Sequence, residues 1–256
     1  MIPEPQGVEL GLGLIGIGRP WPAADSPMPP DERVGELIEA AVDLGIRFLD
    51  TAAAYGRSEE RLAAALRGRL ARCRDRLIIA TKCGEEWVDG FSTVDHSPAA
   101  LERSVARSIG RLGRIDLLQL HKATPEVLAD RRVLDTLAAL AELYGISALG
   151  VSARDEATCA TALDTGLFSF VQCPFNAADR SLGDWIRAHR DRTIVVVNRP
   201  LGSGRLLSEA APDALYAEVA ETLGRGFVLT GTTDAAHLAQ SAAIFDTLKK
   251  GRLTPR

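Results

Sequence analysis

Apolar and polar positions alternate along the chain in two rhythms. Short runs rich in β-branched residues recur at Gly13–Gly18, Ile46–Asp50, Leu77–Thr81, Ile115–His121, Ile146–Ser152, Phe168–Pro174, Thr193–Asn198 and Phe227–Gly231. Between them the apolar positions take a helical period. Val34, Leu37, Ile38, Ala41 and Val42 share one face of a helix that stops at Gly45. Ser97-Pro98 pairs a capping residue with a first-turn proline, and Leu101, Val105, Ile109 and Leu112 then line a face as far as Gly113. Thr124-Pro125 opens another segment, in which Val133, Leu134, Leu137 and Leu140 run on to Gly145.

Strands with little internal alternation, separated by helices, imply parallel pairing with both sheet faces covered. An open doubly wound sheet and a closed barrel both fit. Eight strands in 256 residues favour an α/β fold of the (β/α)8 TIM-barrel type, a single domain over 1–256 with its site at the C-terminal ends of the strands. No GxGxxG opens a predicted helix after a predicted strand and no GxxxxGK[ST] occurs, which weakens the dinucleotide-fold and P-loop alternatives. Gly11-Leu12-Gly13 and Gly16-Ile17-Gly18 are GxG pairs, but they lie in a strand-like stretch with no helix predicted behind them.

Composition narrows the class. With 46% apolar and 25% charged residues the chain can bury a large core. Thirty basic residues against 34 acidic ones, with no basic stripe, argue against a nucleic-acid partner. No apolar run has the roughly 18 residues of a membrane helix. The first residues lack the features of a secretory signal. Cys73, Cys83, Cys159 and Cys173 have neither metal-ligand nor redox spacing, so reduced thiols, no metal and a cytoplasmic location are expected. A monomer is the default.

Candidate chemistry lies at the strand ends, which a parallel barrel gathers at one mouth. The second strand ends at Asp50 with Tyr55 five residues on, the third at Lys82 and the fourth at His121. Taken singly, Asp50 reads as a loop carboxylate, Tyr55 as an edge residue and His121 as a hydrogen-bonded structural histidine. Lys82 is less easily dismissed: the chain has only four lysines (Lys82, Lys122, Lys249, Lys250), and this one ends a buried strand. The conjunction on successive strands reads as a site. A phenol of pKa near 10 needs help to donate a proton at neutral pH. An ammonium about 4 Å away could supply up to roughly 4 kcal/mol, about three pKa units. Asp50 can offset the cost of burying that ammonium, and His121 can donate to a carbonyl oxygen beside the phenol. A polarised carbonyl and a proton donor imply hydride addition, for which a protein must borrow a nicotinamide.

At these residues the sequence resembles the aldo-keto reductase superfamily over nearly its whole length. Asp50-Thr51-Ala52-x-x-Tyr55-Gly56-x-Ser58-Glu59 with Leu62, then Thr81-Lys82, then Ile115-Asp116-Leu117-Leu118-Gln119-Leu120-His121, are similar to that family's signature segments. The resemblance implies a tetrad of Asp50, Tyr55, Lys82 and His121 with Tyr55 as general acid. It also implies NADP(H) in preference to NAD(H), and a small carbonyl or alcohol substrate. It assigns the nicotinamide carboxamide to Ser152 and Gln172, with Ala153 where an asparagine is usual. It places Asn198 and Arg199 where an aromatic commonly stacks. Pro200, Leu201, Gly202 and Ser203 match the pyrophosphate loop. Gly231, Thr232 and Thr233 match the loop at the adenosine 2′-phosphate, where His237 and Ser241 stand with Gly231 in the places of lysine, arginine and asparagine. Gly18 and Arg19 join the cofactor set. Trp21, Trp87 and Phe91, expected in loops after the first and third strands, are assigned to the substrate. Two other functions fit the same residues: a cofactor-binding accessory barrel with little turnover, and a lyase or isomerase that uses Lys82 as a Schiff-base nucleophile.

Overall fold

The computed structural model describes residues 2–20 and 28–251. Eight parallel strands close into a barrel: β1 (Val8–Gly13), β2 (Phe48–Asp50), β3 (Ile78–Cys83), β6 (Leu117–Leu120), β7 (Ala148–Ser152), β8 (Phe170–Pro174), β9 (Ile194–Asn198) and β10 (Gly226–Thr230). Around the ring the order is β1, β10, β9, β8, β7, β6, β3, β2. The two remaining strands, β4 (Glu85–Val88) and β5 (Phe91–Val94), form a separate antiparallel hairpin directly after β3. No helix among the described residues is long and apolar enough to cross a membrane.

Side-chain alternation explains both the core and the mouth. The set that fills the barrel interior is Phe48, Ile78, Ala80, Leu117, Phe170, Val196, Phe227 and Leu229, with Phe48 and Phe227 stacked at 4.4 Å. Two residues further along each strand the same face is reached again. That step leads from Phe48 to Asp50, from Ala80 to Lys82, from Leu117 to Gln119 and from Phe170 to Gln172. An apolar floor therefore carries a polar layer above it. The alternate residues, among them Leu49, Ile79, Leu118, Val171 and Val197, pack outward against the helices in the larger core.

The helices follow the predicted faces. Val34, Leu37, Ile38 and Ala41 are the buried residues of the helix Asp31–Asp43, and Leu101, Val105 and Leu112 are buried on Pro98–Leu112. Three expectations are corrected. The first strand is Val8–Gly13, not Gly13–Gly18. Its ladder to β2 ends where Gly13 meets Asp50, and Ile15–Gly18 winds into a helical turn instead. The segment opened by Thr124-Pro125 is two helices, Pro125–Ala129 and Arg131–Tyr144, because Asp130 stops one and caps the next through the amide of Arg132. Trp87 and Phe91 belong to the hairpin and not to a loop; turn residues Asp89 and Gly90 both take positive φ.

Candidate active site

Lys82 is 1% exposed, so its charge must be met inside the protein. Its Nζ donates to Asp50 Oδ2 at 2.6 Å, to the carbonyl oxygen of Thr51 at 2.9 Å and to Tyr55 Oη at 3.3 Å. Three donors thus find three acceptors. Asp50 is equally buried and also accepts from Gln119 Nε2 at 3.1 Å and Gln172 Nε2 at 3.4 Å. The rings of Tyr55 and His121 meet edge-on with centroids 6.0 Å apart. All four predicted residues therefore share one mouth.

The electrostatics differ from the expectation at Tyr55. Its phenol lies above the ordinary value of 10.0: burial raises it by more than Lys82 lowers it, and Asp50 raises it further. Burial alone would depress Lys82, but Asp50 and the tyrosine together push it up. The site therefore holds a protonated phenol against a protonated amine. An ammonium so paired has no lone pair for Schiff-base attack, which counts against the lyase alternative.

The reading of the sequence missed Gln119 and Glu85. Gln119 stands inside the quoted motif as a polar residue between Leu118 and Leu120, the signal that it faces inward. Glu85 opens the hairpin, 3% exposed, with Oε2 2.8 Å from His121 Nδ1. Burial would raise its pKa, but its contacts with His121, Ser92 and Lys122 bring it down to about 2. His121 is shifted below 6.5, because burial and Lys82 outweigh the support of Glu85.

Two observations bear on a nicotinamide. Ser152 and Gln172 are register partners on β7 and β8. Gln172 Oε1 is a buried acceptor with no partner among the described residues. A carboxamide offers both a donor and an acceptor, so these two residues fit it. Asn198 ends β9, and Arg199 follows in the left-handed region with its carbonyl oxygen accepting from Asn176. Pro200 is buried and Leu201 partly so; the amides of Gly202 and Gly204 close turns onto Arg199 and Leu201, with Ser203 left-handed between them.

The final loop fits a 2′-phosphate poorly. Asp234 caps the helix Ala235–Lys249, taking the amides of Ala236 and His237, while Thr232 Oγ1 accepts from the Asp234 amide. Ser241 is buried, donates to the His237 carbonyl oxygen and meets Tyr216 Oη at 3.3 Å, so it faces the core. Gly231 and the His237 side chain are exposed and Thr233 partly so. A concavity of about 320 Å³ between Pro29, Arg33, Glu36, Thr233 and Asp234 has Arg33 as its one lining cation among the described residues.

On the substrate side, the Arg19 guanidinium lies 4.2 Å from the centre of the Trp87 ring and 5.9 Å from that of Tyr55. Gly18 is packed so closely on the Tyr55 segment that a Cβ there would collide with the Tyr55 carbonyl oxygen. Phe91 is 74% exposed. Trp21 lies outside the described residues.

A family model described as the Aldo/keto reductase family matches residues 9–225. The chain belongs to the aldo-keto reductase family. This family member is 32% identical over 220 residues to the uncharacterized oxidoreductase YqkF of Bacillus subtilis; the match covers 80% of the chain but 64% of that relative, just under two-thirds of its length. It is similar, at 34% identity and a TM-score of 0.79, to the crystal structure of PA4992 from Pseudomonas aeruginosa, covering 92% of this chain and 88% of that one. An aldo-keto reductase from Klebsiella pneumoniae in complex with NADPH shares the fold at 21% identity and a TM-score of 0.68, covering 93% and 85%.

Proposed function

We propose that this chain is an NAD(P)H-dependent oxidoreductase interconverting a carbonyl and an alcohol, with Tyr55 as the general acid. The observation that carries the reading is the 3.3 Å contact of Lys82 Nζ with Tyr55 Oη, made while the same nitrogen holds Asp50. A reduced nicotinamide, when bound, supplies the hydride. Ser152 and Gln172 would hold its carboxamide, as the unpartnered Gln172 Oε1 supports. Tyr55 gives its proton to the nascent alkoxide oxygen. Phenolate charge grows on Oη as the proton leaves, and the fixed ammonium of Lys82 stabilises that charge where it develops. Asp50 keeps the ammonium in place through a bond that no solvent molecule need replace.

The family resemblance and the NADPH-bound Klebsiella neighbour favour NADP(H). In this chain a preference for it over NAD(H) rests on Arg33, since the final loop offers carboxylate and capped amides instead of cations. The test combines binding with turnover. Tyr55→Phe should abolish reduction across a panel of aldehydes, ketones, sugars and quinones. Its affinity for NADPH and NADH, read by tryptophan fluorescence, should stay near that of the wild type. Binding of neither cofactor by the wild type, or undiminished turnover by the variant, would overturn the reading. Wild-type binding without consumption of cofactor would favour the accessory role.

A further inference from the structure

The steps above leave a buried carboxylate beside His121 unused. Glu85 reaches the mouth from the hairpin that follows Lys82, and its two oxygens are divided between different partners. Ser92 Oγ donates to Oε1, and Lys122 Nζ lies 3.6 Å from the same oxygen. Oε2 is left to His121 Nδ1 at 2.8 Å. That approach lacks hydrogen-bond geometry, so Glu85 acts on Nδ1 through proximity and charge. A bare Nδ1 would set a lone pair against an anionic oxygen; a proton there makes the contact attractive.

We propose that Glu85 is a positioning residue: it keeps the His121 proton on Nδ1, so the neutral imidazole presents Nε2 to the mouth as an acceptor. The ring becomes a donor at Nε2 only on taking a second proton. In its neutral form His121 therefore receives a hydrogen bond from a hydroxyl, and it orients a carbonyl oxygen only as imidazolium. Glu85 sets the pH at which one role gives way to the other. The charged or titratable groups around the ring are Asp50 on β2, Tyr55 in the loop behind it, Lys82 on β3, Glu85 on the hairpin, the adjoining Lys122, and His96, whose Nε2 meets the His121 carbonyl oxygen. The catalytic consequence rests on the reductase reading above; the position of the proton does not.

Histidine-selective 15N NMR tests this without substrate. The chain has four histidines, and a His121→Asn variant identifies the His121 signals. The wild type should show neutral His121 protonated on Nδ1. Glu85→Gln should release the ring toward the Nε2-protonated form and lower its titration midpoint by about 1–3 pH units, the effect of losing an opposite charge at this range. Glu85→Asp should keep the Nδ1 proton. A wild-type ring protonated on Nε2 would overturn the proposal even if Glu85→Gln fails to fold. So would a Glu85→Gln protein whose tautomer and midpoint match the wild type. An Nδ1 proton in a protein that turns over no carbonyl would support the proposal while sinking the reductase reading.

Discussion

Replacing Lys82 by methionine removes one charge from a layer in which Lys82, Gln119 and Gln172 all donate to Asp50. At the 3.3 Å seen between Nζ and Oη, two unit charges at an effective dielectric of 20 interact by about 5 kcal/mol, an upper bound of three to four pKa units for the phenol. Burial already holds Tyr55 above its ordinary value, so loss of the ammonium moves it further from neutrality. Turnover should fall by about 10²–10⁴-fold, the usual size of an acid–base contribution. Stability should fall as well. Asp50, 2% exposed, would keep only Gln119 and Gln172 as donors. Breaking a buried pair from one side costs about 3–5 kcal/mol, because it leaves an uncompensated charge. For a chain of this length that lowers Tm by roughly 6–20 °C. The decisive assay is a thermal melt of Lys82→Met, Asp50→Asn and the double variant. The double variant, with no orphaned charge, should melt above Lys82→Met. The sign with pH follows. In Lys82→Met the desolvated Asp50 binds a proton more tightly folded than unfolded, so its deficit shrinks as pH falls from 8 to 5. The deficit of the double variant should stay flat. Additive losses at Asp50 and Lys82, or a pH-independent deficit in Lys82→Met, would refute the pairing argument.

Two further outcomes follow from other parts of the molecule. Arg33→Ala should weaken NADPH binding about tenfold, the loss of one exposed charge-assisted phosphate contact, and leave NADH binding unchanged; calorimetry that finds both cofactors equally affected would remove Arg33 from the 2′-phosphate. Acid should destabilise the wild type through Glu85 and His121 together. Glu85 has a folded pKa of about 2 against 4.5 unfolded, so its contribution is complete above 4.5 and lost as pH falls toward 2. His121, shifted below 6.5, adds a loss of the same sign as pH falls below that value. Between pH 6.5 and 4.5, where Glu85 itself keeps its charge in both states, the Tm of Glu85→Gln should drop more steeply than that of the wild type, because its His121 midpoint lies lower still; parallel or shallower curves there would refute it.

Periodicity and short motifs in the chain were enough to show the alternation of strands and helices, to favour a closed parallel barrel over an open sheet, and to single out Asp50, Tyr55, Lys82 and His121 at strand ends. Those properties are local. A two-residue or 3.6-residue rhythm is set by backbone geometry within a few residues, and the ends of β2, β3 and β6 are marked where the apolar run stops. Other features were settled only by packing. The β1 ladder to β2 ends with Gly13 opposite Asp50, a match no local rhythm contains. Ser241, on the final helix, turns inward to Tyr216, 25 residues away. Gln119 reaches Asp50 across 69 positions, and Glu85 reaches His121 across the hairpin. Burial and charge act through space, so the height of the Tyr55 pKa and the placement of the His121 proton depend on distances between segments that the linear pattern does not express.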